Sequence, residues 1–232
     1  MAREPVRGLF ITGTDTNVGK TYVGALIARS LRAQGRRVGV YKPVASGCPR
    51  QDGELICEDA LALWKAAGSP GELARVCPQV FHAPMAPHLA AAAEGKQLDA
   101  LLLRTGLEYW RERSDIVIVE GAGGLLSPLG DEYAADLAHD FGFPLVIVVP
   151  NRLGAINQGL MTLSVARNHN SGSAVAALVL NNMQLPPGDQ STTTNFAELR
   201  QRSSVPVFQI EVGGASCAPE VDWFNLAGSV KI

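Results

Sequence analysis

The chain has few charged side chains, few cysteines and no long hydrophobic run. Charged residues make up 18% of its 232 residues and the formal net charge is −2, which gives no indication of a nucleic-acid or anionic-membrane partner. No apolar run approaches the length of a membrane span, and Met1–Pro5 lacks the pattern of a secretory signal, so we expect a cytoplasmic protein. The four cysteines show no paired metal-ligand spacing and are expected to be reduced thiols. They are Cys48, Cys57, Cys77 and Cys217.

The sequence does contain a regular alternation of short apolar runs with helical periodicities. The runs are β-branched and show little alternation, which indicates strands buried on both faces of a mostly parallel sheet. The predicted strands are Val6–Thr12, Val38–Tyr41, Asp115–Glu120, Pro144–Val149, Val175–Leu180 and Val205–Ile210. The predicted helices are Tyr22–Gln34, Glu58–Ala67, Leu98–Glu112, Ala134–Phe141, Ile156–His169 and Asn195–Gln201. We expect a single α/β domain over residues 1–232, a mobile loop at Pro186–Thr194 and no assignable element in Gly213–Ile232.

A glycine-bracketed lysine follows the first predicted strand, in the segment Gly13-Thr14-Asp15-Thr16-Asn17-Val18-Gly19-Lys20-Thr21. A loop of this kind directs successive N–H groups at a phosphate chain, and the following helix amino terminus adds a favourable potential. Lys20 would lie near the β and γ phosphates, and Thr21 would offer its hydroxyl to Mg²⁺. The usual spacing requires a glycine at Thr14, so the loop is one residue longer than standard or differently shaped. The segment predicts a P-loop NTPase-like fold, the alternative being a glycine-rich turn with a solvated lysine.

The second strand leads into Tyr41-Lys42-Pro43-Val44-Ala45-Ser46-Gly47. In an open parallel sheet, ligands bind outside the carboxyl ends of the strands, so Lys42 leaves its strand on the same edge as the phosphate loop. A second lysine there can neutralise charge on a transferring phosphoryl group, and Ser46 can hydrogen-bond a substrate. The alternative is an ordinary lysine at the end of a strand.

The third strand ends in Glu120-Gly121-Ala122-Gly123-Gly124. An acid at the end of a buried strand is delivered rigidly to the phosphate edge, where a Mg²⁺-holding carboxylate is needed. The glycines allow close approach of backbone to a ligand. A surface carboxylate before a turn is the alternative.

Three further positions have weaker signals. Asp59 lies in the first turn of a predicted helix, where capping is the simpler interpretation, and Asp52 competes with it for a metal role. The segment Asn151–Asn157 could present N–H groups at a helix start to a carboxylate, or could be a plain turn. Asn181 and Asn182 follow the fifth strand, where an amide can read a base edge or simply shape a turn.

Together these motifs resemble dethiobiotin synthetase, the ATP-dependent carboxylase family that closes a cyclic urea in biotin synthesis. The matching segments are Gly13–Thr16 with Val18–Thr21, Tyr41–Gly47, Glu58–Leu61, Val119–Gly124, and Leu153-Gly154 with Ile156-Asn157. They keep the family's order over about residues 6 to 182. The chain departs from it at Asn17, where many members have an acid.

The resemblance implies a role for each matching residue. Lys20 and Lys42 would be catalytic, and Mg²⁺, the implied cofactor, would lie among Thr21, Asp59 and Glu120. Ser46 would contact the diamine substrate, while Leu153, Gly154 and Asn157 would hold its carboxylate across a homodimer interface. The implied nucleotide-binding residues are Thr16, Asn17, Val18, Gly19, Lys20, Thr21, Glu120, Gly121, Ala122, Gly123, Asn181 and Pro206.

The chemistry that the resemblance implies has three steps. 7,8-Diaminopelargonic acid takes up CO₂ as a carbamate, the carbamate attacks the γ-phosphorus of MgATP, and the second amine closes the ring with loss of phosphate. Phosphoryl transfer needs charge neutralisation and alignment more than a protein nucleophile, so no covalent enzyme intermediate is expected.

Two related activities are the rival interpretations. A nucleotide-switch ATPase of the partitioning or cell-division-positioning type would have a lysine five residues before Lys20, where this chain has Asp15. An amidating ligase of the same superfamily would need a glutaminase domain, for which the chain has no length left.

Overall fold

The computed structural model describes residues 6–182, 186–211, 213 and 221–227. Met1–Pro5, Cys217 and most of the segment 213–232 lie outside the described residues. The strands are β1 (Arg7–Gly13), β2 (Val38–Tyr41), β3 (Val44–Ala45), β4 (Arg50–Gln51), β5 (Glu54–Leu55), β6 (Gln79–Val80), β7 (Ile116–Gly124), β8 (Leu145–Pro150), β9 (Val175–Asn181) and β10 (Val207–Ile210). The helices are α1 (Lys20–Ala33), α2 (Glu58–Ala66), α3 (Leu73–Val76), α4 (Pro87–Ala93), α5 (Ala100–Thr105), α6 (Glu108–Arg111), α7 (Ala134–Phe141), α8 (Ala155–Asn168), α9 (Asn195–Arg202) and α10 (Trp223–Leu226), with a 3-10 helix at Gln190–Thr193.

Six strands form one sheet in the order β10-β9-β8-β1-β7-β2, and every neighbouring pair in it is parallel. Its middle strands are almost continuously buried, as the unalternating apolar runs predict; Leu145–Val149 in β8 has no exposed surface. The flanking helices α1, α7 and α8 pack on the central strands. The predicted mostly parallel sheet with flanking helices is therefore confirmed.

Parallel strands end at one edge, and this edge collects the chemistry-bearing residues of the sequence. The phosphate loop follows β1, Lys42 follows β2, and Glu120 lies in β7 opposite Ile11, near the carboxyl end of β1. Asn151 and Asn182 follow β8 and β9 at the same edge. Because β1 lies between β7 and β8, the loop is at the centre of this row.

Two predicted elements differ in extent. β7 runs on to Gly124, because the glycines continue pairing with β1 after a register shift and bring Gly124 opposite Gly13. The predicted helix Leu98–Glu112 is two helices, α5 and α6, separated at Gly106. The Tyr41 hydroxyl lies 3.0 Å from the carbonyl oxygens of Leu102 and Leu103, so a tertiary contact competes for the carbonyls of the first helix at this break.

The described part of the chain also contains elements that the periodicity does not predict. Pro87 begins α4, where its fixed φ and missing N–H suit a first helical position, although Pro84–His88 reads as loop from the sequence. The predicted loop at 186–194 includes a 3-10 helix that hydrogen-bonds to the end of β8. No helix among the described residues is long and apolar enough to cross a membrane.

Candidate active site

The phosphate loop closes on Gly19, the cap of α1. Gly19 has φ 94°, a left-handed conformation, and a Cβ there would lie 2.1 Å from the amide nitrogen of Asn181. Glycine is thus required for both backbone conformation and space. Asn181 donates to the Val18 carbonyl oxygen at 3.0 Å, so it braces the loop from the end of β9, two strands away from β1. Asn181 thus packs against the phosphate loop, and its contact with the nucleotide stays a prediction.

Lys20 lies folded back across the loop. Its Nζ donates to the backbone oxygen of Asp15 at 2.9 Å, and the residue is only 7% exposed. Burial lowers the pKa of Lys20, opposed by the attraction of Glu120. A buried ammonium bonded only to a neutral carbonyl retains donors for a phosphate chain.

Lys42 reaches the same space from the end of β2. Its Nζ is 2.5 Å from Glu120 Oε1 and 3.2 Å from Asp59 Oδ2, and both Lys42 and Glu120 are buried. Thr21 Oγ1 donates to Glu120 Oε1 at 3.0 Å and lies in hydrogen-bond range of Asp59. We call Lys20, Lys42, Asp59 and Glu120 the charged cluster. The structure thus brings together the five residues for which the sequence predicts catalytic or metal roles.

Opposing forces set the protonation of this cluster. Burial by itself would lower the pKa of Lys42, but the charges of Glu120 and Asp59 outweigh it and raise the pKa above its ordinary value. Burial raises the pKa of Glu120 against the attraction of Lys42. The pKa of Asp59 is lowered because Lys42 and Thr21 outweigh its desolvation. Lys42 is therefore a protonated hydrogen-bond donor rather than a base.

Asp59 owes its position to the start of α2. The helix is capped by Cys57, whose Sγ accepts the Ala60 N–H at 3.4 Å. The neighbouring side chains of Cys48 and Cys77 lower the pKa of Cys57, against the effect of burial. These three cysteines form no disulfide among the described residues, and their reduced state stays a prediction. Since the cap is a cysteine, Asp59 is released from the capping role that the sequence favours.

The donor set fits a magnesium ion shared with phosphates. Glu120 Oε2 is buried and has no hydrogen-bond partner among the described residues, and Asp59 and the Thr21 hydroxyl lie beside the same carboxylate. Mg²⁺ in nucleotide sites takes one or two carboxylates and completes its shell with phosphates and water. No group of three or more acidic, histidine or cysteine side chains that could hold a metal alone occurs in the described part of the chain.

The glycine-rich end of β7 lies against the phosphate loop. A Cβ on Gly123 would be 2.1 Å from Ser127 Oγ and 3.8 Å from Thr16 Oγ1, and Gly123 has φ 66°. Ser127 Oγ accepts the Gly124 N–H at 2.9 Å and fixes this turn. The close packing explains why a run of glycines follows Glu120.

Comparisons with known proteins identify the family. A family model described as an AAA domain matches residues 7–210. The ATP-dependent dethiobiotin synthetase of Rhodopirellula baltica is 43% identical, over 85% of this chain and 81% of that protein. The corresponding protein of Escherichia coli K12 is 38% identical, over 77% of this chain and 79% of that one.

The chain belongs to the ATP-dependent dethiobiotin synthetase family.

A solved structure supports the fold independently of sequence. The signal recognition particle receptor FtsY from Elizabethkingia anophelis aligns over 97% of this chain with a TM-score of 0.52, at 14% sequence identity. This chain spans 65% of the FtsY chain, and the likeness shows the P-loop NTPase-like fold alone. The resemblance that the motifs imply is confirmed by the relatives at 43% and 38% identity, and the switch-ATPase alternative is not favoured.

The synthetase resemblance also assigns Pro206 to the nucleotide. Pro206 directly precedes β10, and its carbonyl oxygen accepts the Leu178 N–H at 2.9 Å. Its contact with the nucleotide stays a prediction, and the place directly after β10, at the carboxyl edge, belongs to another residue. Glu211 occupies that place, and the Asn182 side chain donates to it at 3.4 Å.

The predicted carboxylate site of the synthetase family lies at the start of α8. Gly154 caps the helix with φ 95°, Leu153 is 80% exposed, and Asn157 is exposed one turn later. The Leu153 N–H, however, already donates to Asp189 at 2.7 Å. Leu153 therefore cannot offer this amide to a substrate in the described conformation.

Sequence reasoning missed three side chains that shape the site. Each of them forms a hydrogen bond to a backbone group outside its own element. The partner of Ser127 is Gly124 in β7. The partners of Asp189 and Asn195 are Leu153 and Arg152, just before α8. Asp189 had one local signal, because an aspartate followed by Ser191 two residues later is typical of a turn cap. Ser46, which the sequence did select, is half-buried and forms no hydrogen bond within the described part of the chain.

Proposed function

We propose that this chain converts 7,8-diaminopelargonic acid, CO₂ and ATP to dethiobiotin, ADP and phosphate. The observation that supports this most directly is the buried Lys42 ammonium, held between Glu120 and Asp59 beside a phosphate loop. Such an arrangement suits a reaction whose charge changes are concentrated on a phosphoryl group and its acceptor. The family relationship supports the same reaction.

In this proposal the lysines neutralise and align the reacting groups. Lys20 contacts the β and γ phosphates, and Lys42 lies between the carbamate and the γ-phosphoryl group. A carbamate oxygen forms a bond to the γ-phosphorus as the bond to ADP breaks, which gives a carbamic–phosphoric anhydride. Because the pKa of Lys42 is raised, its ammonium stays charged and stabilises both partners while donating hydrogen bonds.

Ring closure follows without a protein nucleophile. The second amine attacks the anhydride carbonyl, the C–O bond to phosphate breaks, and the amine loses its proton. Holding both amines in one site supplies much of the advantage, since the attack is intramolecular. Ser46, half-buried beside the Lys42 loop, is proposed to orient the diamine.

Magnesium is proposed to be held by Thr21, Asp59 and Glu120 together with the phosphates. When bound there, it supplies positive charge to the β and γ phosphates. The nucleotide is proposed to contact the loop residues Thr16 to Thr21, the Gly121–Gly123 backbone and the region of Asn181. Asn17 has φ 58°, which asparagine adopts more readily than most residues.

The substrate carboxylate is proposed to bind at the α8 amino terminus of a second copy. Gly154 contributes its N–H and Asn157 its side-chain amide, in a field that favours an anion. Leu153, just before this helix, and Met161 within it are 80% and 60% exposed apolar side chains, which suits a homodimer contact. Analytical sedimentation of the wild type and of Met161→Asp tests the dimer. We expect the wild type to sediment as a dimer and the variant as a monomer. A monomeric wild type would contradict the proposed dimer.

The activity is tested by phosphate release from MgATP and bicarbonate, with and without the diamine, followed by mass analysis of the product. We expect release that depends on the diamine and a product that has gained one ring carbonyl. Hydrolysis indifferent to the diamine would contradict the proposal and favour a switch-type ATPase.

A further inference from the structure

Three buried asparagines form a second polar group at the same sheet edge. Asn151 follows β8, Asn182 follows β9, and Asn195 begins α9; each is at most 3% exposed. We call them the asparagine cluster. None of them belongs to the charged cluster, and nothing in the proposed chemistry uses them.

The hydrogen bonds of Asn151 are complete. Its Nδ2 donates to Asn182 Oδ1 at 2.7 Å and to the Thr192 carbonyl oxygen at 2.9 Å, while its Oδ1 accepts from Asn195 Nδ2 at 2.8 Å. Its backbone N–H donates to the Asn181 carbonyl oxygen. A buried amide that uses both donors and its acceptor admits one orientation, so the cluster is rigid.

Both the asparagine cluster and Asp189 form hydrogen bonds to the turn that precedes α8. Asn195 Nδ2 also donates to the Arg152 carbonyl oxygen at 3.1 Å. Asp189 Oδ2 accepts the Leu153 N–H at 2.7 Å, and its Oδ1 accepts from the Ser191 backbone and hydroxyl. These contacts fasten consecutive residues of the turn to two other elements.

The fastened turn is the one that precedes the proposed carboxylate site. Gly154 has no side-chain capping hydrogen bond among the described residues, and the Ala155 N–H is used by the Arg152 carbonyl oxygen. Anchoring Arg152 and Leu153 therefore fixes the direction in which the remaining amides at the start of α8 point.

We propose that the asparagine cluster and Asp189 are positioning residues, which hold the turn Asn151–Gly154 so that the α8 amino terminus recognises the carboxylate of the diamine substrate. This inference rests on the proposed function. It assigns to Asn151, Asn182, Asn195 and Asp189 a contribution to substrate specificity through the backbone, without contact with the substrate.

The first test compares Asp189→Ala and Asp189→Asn with the wild type. Asp189→Ala releases the Leu153 N–H, and we expect KM for the diamine to rise on the order of tenfold, with kcat and the KM for ATP nearly unchanged. Asp189→Asn keeps one side-chain oxygen, which can accept from Leu153 or from Ser191 but not from both. Its KM for the diamine should lie between the values of the wild type and of Asp189→Ala. The matched control is Thr193→Ala, whose hydroxyl bonds only to the local Gln190 carbonyl oxygen and is exposed.

A second substrate separates positioning from general support. For a diamine of the same length with a methyl group in place of the carboxyl group, kcat/KM should be the same in Asp189→Ala and the wild type. A merely structural defect would lower kcat/KM for both substrates by the same factor, and that result would overturn the proposal. A lower KM for the carboxylate substrate in both Asp189 variants would also overturn it, because Asp189 would then be a competing anion.

A third measurement follows the turn itself by amide hydrogen exchange over residues 152–157. We expect faster exchange in Asp189→Ala and in Asn195→Ala than in Thr193→Ala, and equal protection would overturn the proposal. Absence of diamine-dependent turnover in the wild type would overturn both this inference and the proposed function. Turnover with an unchanged diamine KM in Asp189→Ala would overturn this inference alone.

Discussion

The charged cluster and the asparagine cluster both lie at the carboxyl edge of one sheet. They differ in how many of their side-chain hydrogen-bonding atoms have a partner. In the charged cluster, Glu120 Oε2 has no hydrogen-bond partner among the described residues and Lys20 bonds only a backbone oxygen. In the asparagine cluster, Asn151 uses both its donors and its acceptor. An unsatisfied charged group indicates a ligand site, whereas a satisfied neutral group indicates a support.

This difference also separates their energetics. Lys42 and Glu120 are buried charges, so removing one leaves the other uncompensated. The asparagines are neutral, and losing one costs only the hydrogen bonds that it made. The following predictions test this contrast, from the largest expected effect to the smallest.

Removing Lys42 should have the largest effect. We expect Lys42→Met to lower turnover on the order of 10³-fold, because the ammonium that faces the transferring phosphoryl group is lost. The variant should also lose about 3 kcal/mol of unfolding free energy, since Glu120 is left buried without its cation. Phosphate-release kinetics and denaturant unfolding measure the two effects.

A double variant sharpens this prediction. Lys42→Met with Glu120→Gln should regain much of the stability but none of the turnover, because no unpaired charge remains between the two positions. Lys96→Met is the control, since Lys96 pairs with Glu94 on the exposed surface. Turnover near the wild-type level in Lys42→Met would remove Lys42 from the reaction.

Glu120→Gln should raise the Mg²⁺ requirement. The orphaned Oε2 is the atom that we expect to face the ion, and an amide is a weaker ligand than a carboxylate, so half-maximal turnover should need on the order of tenfold more Mg²⁺. A Mg²⁺ titration of turnover measures this. The control is Asp52→Asn, at a turn position with φ 51°, for which the Mg²⁺ dependence of turnover should match the wild type. A wild-type Mg²⁺ dependence in Glu120→Gln would exclude Glu120 from the metal site.

Asn151→Ala should affect stability without changing the Mg²⁺ requirement. We expect a loss of about 2 to 3 kcal/mol in unfolding free energy, because donor and acceptor groups of Asn195 and Asn182 lose their partner. Asn168→Ala, which removes an exposed local bond to Ser164, should cost about 0.5 kcal/mol or less. Equal losses in the two variants would show that the buried cluster carries no special stability.

The smallest effect is a pH dependence confined to the charged cluster. Burial raises the pKa of Glu120, so protonation competes with Mg²⁺ as the pH falls toward the folded pKa of this carboxyl, and the half-saturating Mg²⁺ concentration should rise by less than tenfold per pH unit. Folding favours the protonated carboxyl, so this group's contribution to stability is present below about pH 4 and is lost as the pH rises through its folded pKa. Mg²⁺ titrations of turnover at three pH values should show the rise in half-saturating Mg²⁺ concentration in the wild type and not in Glu120→Gln.

Much of the fold could be predicted because its signals are local. β2 and α7 have the predicted bounds, since a β-branched run and an amphipathic period are visible within a few residues. The break between α5 and α6 could not be predicted in this way. It occurs where the Tyr41 hydroxyl reaches carbonyl oxygens about sixty residues further along the chain.

For the site, the sequence by itself determined which residues could do the chemistry. The order of Lys20, Thr21, Lys42 and Glu120 at strand ends is enough to predict one phosphate edge, because parallel strands end together. Only the tertiary structure decided which partner each group has. The pairing of Asp59 with Lys42 and the capture of the Leu153 N–H by Asp189 depend on contacts between distant segments, whose geometry no local pattern encodes.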